Sequence, residues 1–161
     1  MANESPVDYT ETLPGKRMAA GALFLNQHGE VLILKPTYRE DWLVPGGVVE
    51  RNESPHQACQ REILEELGLD CAIHQLLCVE YKLPQGPRTE SVQFIFYGSI
   101  LSKREIETIT LQADEIAAYR FCRREEAFSL LNPHLAGRLT FALLALEQGR
   151  TIYLKDQVEI R

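Results

Sequence analysis

Between Gly47 and Leu69 the chain reads Gly-Val-Val-Glu-Arg-Asn-Glu-Ser-Pro-His-Gln-Ala-Cys-Gln-Arg-Glu-Ile-Leu-Glu-Glu-Leu-Gly-Leu, and this segment has few ways to fold other than as one short helix crowded with acids. Ser54 is a favoured N-cap, and Pro55 suits the first helical position, where its missing N–H is not needed. Gln57, three residues after Ser54, completes a capping box. Gly68 can take the left-handed conformation that closes a helix. The spacing predicts a helix from about Pro55 to Leu67.

At about 3.6 residues per turn, Glu62 lies one turn from Glu65 and Glu66, so their carboxylates share one arc. Cys59, Ile63 and Leu67 recur on a neighbouring stripe that can bury against a sheet, which places the acids at the edge of the packed face. Each like-charge pair on a helix costs about 0.2–0.5 kcal/mol. A compensating charge is therefore expected, and a hard divalent cation is the natural candidate. Arg61, one turn before Glu65, could hold a carboxylate in a single orientation through its planar guanidinium, which lysine does less well. Mixed charge is also the ordinary pattern of a solvated, salt-bridged helix, and the helix by itself is compatible with both.

The segment Trp42-Leu-Val-Pro45-Gly46-Gly47 changes the balance. Two glycines after a short apolar run permit backbone closed to other residues and allow carbonyl oxygens to approach a ligand closely. Gly47, five residues, Glu53, seven residues, then Arg61-Glu62-Ile63-x-Glu65-Glu66-x-Gly68-Leu69 resembles a complete Nudix box, with every defining position filled. At ordinary residue frequencies such a match arises by chance less than about once in 10⁸ starts. The strand pattern on either side and the later Asp114-Glu115-Ile116 extend the resemblance over about residues 17 to 155.

The resemblance implies an α/β fold, an αβα sandwich around a mixed, partly antiparallel sheet. It implies a metal site drawn from Gly46, Glu53, Glu62, Glu65 and Glu66: the three helix acids as ligands, the Gly46 carbonyl as a further one, and Glu53 supporting the shell. Arg61 would orient the acids. Glu62 or Glu115 would serve as general base. Oxygen-only donors favour Mg²⁺ or Mn²⁺ over softer ions, and such ions suit phosphoanhydride hydrolysis.

At 161 residues and 45% hydrophobic content, the chain can bury one good core, and one domain over residues 17–155 is expected. Residues 1–16 are polar and proline-bearing and read as a flexible arm, and 156–161 as a tail. The formal charge is −6 without a basic stripe, which argues against a nucleic-acid polymer and for a small nucleotide-type ligand bridged by metal. With no apolar run of membrane-spanning length and no leader pattern at Met1, no membrane partner and a cytoplasmic location are expected. Relatives of this kind are commonly dimers, so a homodimer is admitted. Cys59, Cys71, Cys78 and Cys122 lack Cys-x-x-Cys spacing and fall in apolar contexts, which reads as buried free thiols.

Strands are expected over 17–25 and 31–34, joined by a turn at Asn26-Gln-His28-Gly29, then over 42–44, 71–83, 91–101 and 115–121, with an edge strand at 151–154. Helices are expected over 123–131 and 133–148, the latter capped by Asn132 and stopped near Gly149. Leu135, Leu139, Ala142, Leu143 and Leu146 form a core face with no function assigned. Arg17, Lys35, Arg39, Lys82 and Arg88 are candidates for phosphate contacts, and Trp42, Tyr38, Phe94, Tyr97 and Phe121 for a base-stacking ring.

Pro84 lies sixteen residues after Gly68, a placement that resembles a marker of the ADP-ribose-hydrolysing branch. An ADP-ribose-like substrate is therefore the first expectation, with release of a nucleoside monophosphate, and a nucleoside triphosphate, oxidised or not, the second. A rival class is a Nudix-fold sensor that binds a nucleotide without cleaving it, although such modules have eroded acids and none is eroded here. An isoprenoid diphosphate isomerase on the same fold would need further cysteine and acid motifs that this sequence does not supply.

Overall fold

Asn26 closes the first hairpin with its own side chain, its amide oxygen accepting the backbone N–H groups of His28 at 2.9 Å and Glu30 at 3.0 Å. Gly29 takes the positive φ of 75° that the turn requires. The computed structural model describes residues 9–160. Of the expected N-terminal arm, residues 1–8 lie outside the described residues, and Tyr9–Thr12 forms a single 3₁₀ turn.

The elements then run β1 (Arg17–Asn26), β2 (Val31–Pro36), β3 (Gly46–Val48), α1 (Pro55–Leu67), β4 (Leu76–Lys82), β5 (Ser91–Leu101) and α2 (Lys103–Glu107). β6 (Ile116–Cys122), α3 (Arg124–Leu130), α4 (Pro133–Gln148), β7 (Ile152–Lys155) and β8 (Val158–Glu159) complete the chain. One mixed sheet is ordered β6-β2-β1-β5-β4-β7-β8, with β3 paired to β1 outside that path. β1–β5 and β4–β7 are parallel pairs and the remainder are antiparallel.

Side chains alternate across the strands and feed two cores. Leu23, Ile33 and Ile95 pack with Leu135, Leu139 and Ala142 of α4. Ala22, Phe24, Leu32 and Leu34 pack with Cys59, Ile63 and Leu67 of α1 on the other face. Covered on both sides, β1 is buried along most of its length, as a central strand of a layered α/β fold must be.

Four expectations are corrected. The third strand is Gly46–Val48 rather than 42–44; Trp42 and Leu43 make only isolated bridges, to Leu131 and Leu34. The glycines, free of side chains, are what can lie flat against β1. β4 starts at Leu76, not at residue 71, and residues 71–75 carry the chain off α1. β7 is an inner strand, because Val158–Glu159 in the expected tail pairs beside it and becomes the edge. Cys71 is half-buried, whereas Cys59, Cys78 and Cys122 are buried. Helix α2 was not foreseen, although Ser102 and Glu105 form the capping box that announces it.

Candidate active site

Helix α1 begins and ends as its sequence dictates. Ser54 caps the N–H of Gln57, the Gln57 side chain returns to Ser54, and Gly68 at φ 66° closes the last turn. These ends fix the rotation of the helix, and with it the direction of its acids. Glu66 is directed into the sheet, where Oε2 accepts the Gly46 N–H at 2.9 Å. It is 6% exposed, deeper than the edge position expected, because β3 supplies a backbone donor there. Burial pushes its carboxyl up to about 8, the Gly46 N–H opposing and the charges of Glu62, Glu115 and Glu65 adding to the shift.

Glu62 lies directly against the α-carbon of Gly47, where any β-carbon would overlap its carboxylate. Its carboxyl is also raised, first by burial, with Arg61 opposing and Glu65 and Glu115 reinforcing. Gly46 sits at φ 140°, and a β-carbon there would strike the Ala20 carbonyl. Both glycines are therefore required for close approach, one to a strand and one to the carboxylate of Glu62.

Arg61 ties the other acids together. Nε and Nη2 grip Glu53 at 2.9 and 3.1 Å, and Nη2 also donates to the Val48 carbonyl at 3.1 Å. Nη1 donates to Glu62 at 2.8 Å and to Glu65 at 3.1 Å. Glu53 accepts in addition from the Glu50 N–H at 3.0 Å, and the Arg61 guanidinium holds its carboxyl below the usual range. The two-pronged grip on Glu53 fixes the guanidinium plane, so the nitrogen left over is aimed between Glu62 and Glu65.

Glu115 arrives from the segment before β6. That segment is stitched to the end of α1 by Thr110 N–H to the Leu67 carbonyl at 2.9 Å and Gln112 N–H to the Glu66 carbonyl at 3.3 Å. Glu115 is exposed, and its charge is felt at both Glu62 and Glu66.

The donor chemistry fits a hard divalent cation. All candidate donors are oxygens, Glu66 is buried with one backbone N–H for its charge, and one guanidinium is shared among Glu53, Glu62 and Glu65. Among the described residues, no set of three or more acidic or thiol or imidazole side chains is drawn together around a common point; Arg61 occupies that position instead. Of the three helix acids Glu65 has the most exposed side chain, at 50%.

Beside β3 opens a cavity of about 620 Å³, bordered by Gly46, Gly47 and Val48, within the size range of small-molecule sites. Tyr38 and Phe94 line it, whereas Trp42, Tyr97 and Phe121 pack into the cores or their margins. Arg17, Arg39, Lys82 and Arg88 also line it. Lys35 is spent on the carbonyls of Arg39 and Glu40.

Two site-forming residues were not foreseen. Arg138 of α4 lines the cavity and is paired with Glu80 of β4, which is fully buried. Each is a lone charge in an apolar pattern, Glu80 within Leu-Leu-Cys-Val-Glu-Tyr and Arg138 on the stripe of Leu135, Leu139 and Ala142, and that pattern was the available signal.

A sequence profile of the NUDIX domain matches residues 15–143. The chain belongs to the NUDIX domain family. The 8-oxo-dGDP phosphatase NUDT18 of Danio rerio is 40% identical over 101 residues, covering 58% of this chain and 30% of that protein. The putative 8-oxo-dGTP diphosphatase of Bacillus subtilis is 36% identical over 81 residues, covering 50% of this chain and 52% of its own. The chain thus spans between about a third and a half of the length of these curated relatives. The crystal structure of a MutT protein from Methanosarcina mazei superposes with a TM-score of 0.65 over 86% of this Nudix chain and 100% of its own, at 19% identity, a likeness of fold. Among the described residues no helix is long and apolar enough to cross a membrane.

Proposed function

We propose that this Nudix chain is a pyrophosphohydrolase that cleaves a phosphoanhydride bond of a nucleotide with the help of Mg²⁺ or Mn²⁺. The observation that carries the reading is the placement of Glu62 and Glu66, both with carboxyls raised by burial, against the double glycine of a strand that also borders the cavity. A nucleoside seated in that cavity can present its diphosphate at Gly46–Val48 without meeting a side chain from the two glycines.

Glu62, Glu65 and Glu66 would hold the ion, with the Gly46 carbonyl as a further oxygen and Glu53 acting through Arg61. The ion, when bound, supplies neutralisation of charge on the diphosphate and a more acidic water. Arg61 keeps Glu62 and Glu65 from swinging apart. Water adds to phosphorus as the anhydride P–O bond breaks, and the proton passes to Glu62 or Glu115. The products are a nucleoside monophosphate and the remaining phosphate or phosphorylated group.

Oxidised purine nucleotides come ahead of ADP-ribose-like compounds in this reading, supported by the likeness to relatives named as an 8-oxo-dGDP phosphatase and a putative 8-oxo-dGTP diphosphatase. ADP-ribose stays second on Pro84, which sits between the cavity residues Leu83 and Gln85. A panel of 8-oxo-dGTP, 8-oxo-dGDP, the unmodified nucleotides, ADP-ribose, dinucleotides and an RNA substrate, assayed with Mg²⁺ or Mn²⁺, tests the reading. Turnover of at least one class, abolished by Glu66→Gln with the fold retained, is expected. Binding without turnover across the panel would identify a sensor instead.

A further inference from the structure

The cavity floor is a patch of sheet. In register, Ala19 of β1 pairs with Gln93 of β5, and Gln93 with Glu80 of β4. Residues two positions along a strand share a face, so Arg17, Ser91 and Lys82 form the next row. Of these floor residues Ala19, Gln93, Arg17, Ser91 and Lys82 all line the cavity. Glu80 does not, because Arg138 of α4 covers it.

The Glu80–Arg138 pair is built into the molecule with unusual completeness. Arg138 Nε and Nη2 both donate to Glu80 Oε2, at 2.7 and 2.6 Å. Glu80 Oε1 accepts the Gln157 backbone N–H at 3.0 Å and its side-chain amide at 2.5 Å. Gln157 in turn packs on Gly137 of α4, where a β-carbon would collide with its amide oxygen. Glu80 is fully buried and Arg138 is 6% exposed. A buried ion pair of this kind is commonly no more stabilising than apolar residues of equal volume, so stability alone does not account for it.

Arg138 keeps Nη1 in reserve. No acceptor among the described residues meets it, and it is not among the buried unpartnered atoms, of which Asp156 Oδ1 is the one found among the described residues. Nη1 therefore reaches the solvent space that Arg138 lines, which is the cavity. Its neighbour Lys82 is likewise without an acceptor there, and burial followed by the Arg138 charge lowers its ammonium. Guanidinium and ammonium groups only donate. With its charge balanced by Glu80, Arg138 acts there as an oriented donor more than as an anion trap.

We propose that Arg138, held by Glu80, and Lys82 are specificity-determining residues that read oxygen acceptors on the nucleobase, and so select 6-oxo purines over 6-amino purines. The inference rests on the cavity being the nucleoside site, as proposed above. A 6-oxo purine offers acceptors where a 6-amino purine turns a donor toward the same nitrogens, and a good pairing of this kind discriminates by about tenfold or more. A donor facing a donor leaves both unpaired on burial.

Binding of IMP and AMP, measured by calorimetry in chelator, tests this without requiring turnover, so a failure of the hydrolytic reading shows separately in the substrate panel. The intact protein should bind IMP about tenfold or more tighter than AMP. Lys82→Met should narrow the ratio. The double substitution Glu80→Leu with Arg138→Met, which removes both buried charges together, should bring it to near unity; on any 6-oxo purine substrate that turns over, KM should rise while kcat changes little. Equal binding of IMP and AMP by the intact protein overturns the proposal. So does a ratio unchanged in Lys82→Met, a variant expected to fold whether or not the double one does.

Discussion

The carboxylate of Glu62 rests on the α-carbon of Gly47, so that the smallest side chain at position 47 would occupy its place. Gly47→Ala should therefore push Glu62 aside and, on the role proposed for Glu62, lower kcat by about 100-fold, the cost of displacing a reacting group by roughly 1 Å, with little change in Tm. Gly46→Ala should behave differently. Its φ of 140° and the Ala20 carbonyl behind it make it a folding defect of about 1–3 kcal/mol or more, visible as a lowered Tm before any assay.

Arg61→Lys keeps the charge and loses the fork. The grip on Glu53 and the reach to Glu62 and Glu65 cannot all be made by one ammonium. Activity or apparent metal affinity should fall about 10- to 100-fold, and titration of Mg²⁺ against rate would separate the two.

Burial pushes the Glu66 carboxyl up to about 8 in the folded chain, from an ordinary 4.5. Its protonated form is thus the one the fold favours. The stabilisation is complete below about pH 4.5 and is lost as pH rises through about 8, with a slope of up to about 1.4 kcal/mol per unit for one proton. In chelator, Tm should fall between pH 5 and 9, and Glu66→Gln should flatten that fall. A Tm that is level with pH in chelator would contradict the burial argument.

In the proposed mechanism Glu62 and Glu115 are the two candidates for base. Replacing the true base by glutamine should cost about 10²- to 10⁴-fold in kcat and remove the acidic limb of the pH–rate profile. Replacing the other should leave that limb in place. Because Glu115 raises Glu62 through its charge, Glu115→Gln should also move a Glu62-derived limb to lower pH, a signature distinct from its disappearance.

The box helix was legible to the residue because its ends are written in local chemistry, Ser54 with Gln57 at one end and Gly68 at the other. The double glycine is legible as a special backbone, but its local sequence has the character of a loop after a strand; pairing with β1 is a long-range event that Trp42 to Val44, with its apolar run, imitates locally. The layered sheet followed from the order of elements, whereas the inner place of β7 depends on a partner of only Val158–Glu159. Arg17, Lys82 and Arg88 could be nominated from sequence but not placed. Glu80 and Arg138 are 58 residues apart, and their meeting is decided by how α4 lies across β4.

The turn at Asp156 and Gln157, both at positive φ, joins the β7–β8 hairpin through Glu80 to the Arg138 guanidinium that lines the cavity. Anything that loosens that hairpin, such as trimming residues 156–160 or pulling on an appended tag, would slacken Glu80 and release Arg138. If Arg138 reads the base as proposed, such a protein would keep its acidic residues in place while growing indifferent to which base it accepts, so promiscuity in a preparation would first call for a check that this hairpin is intact.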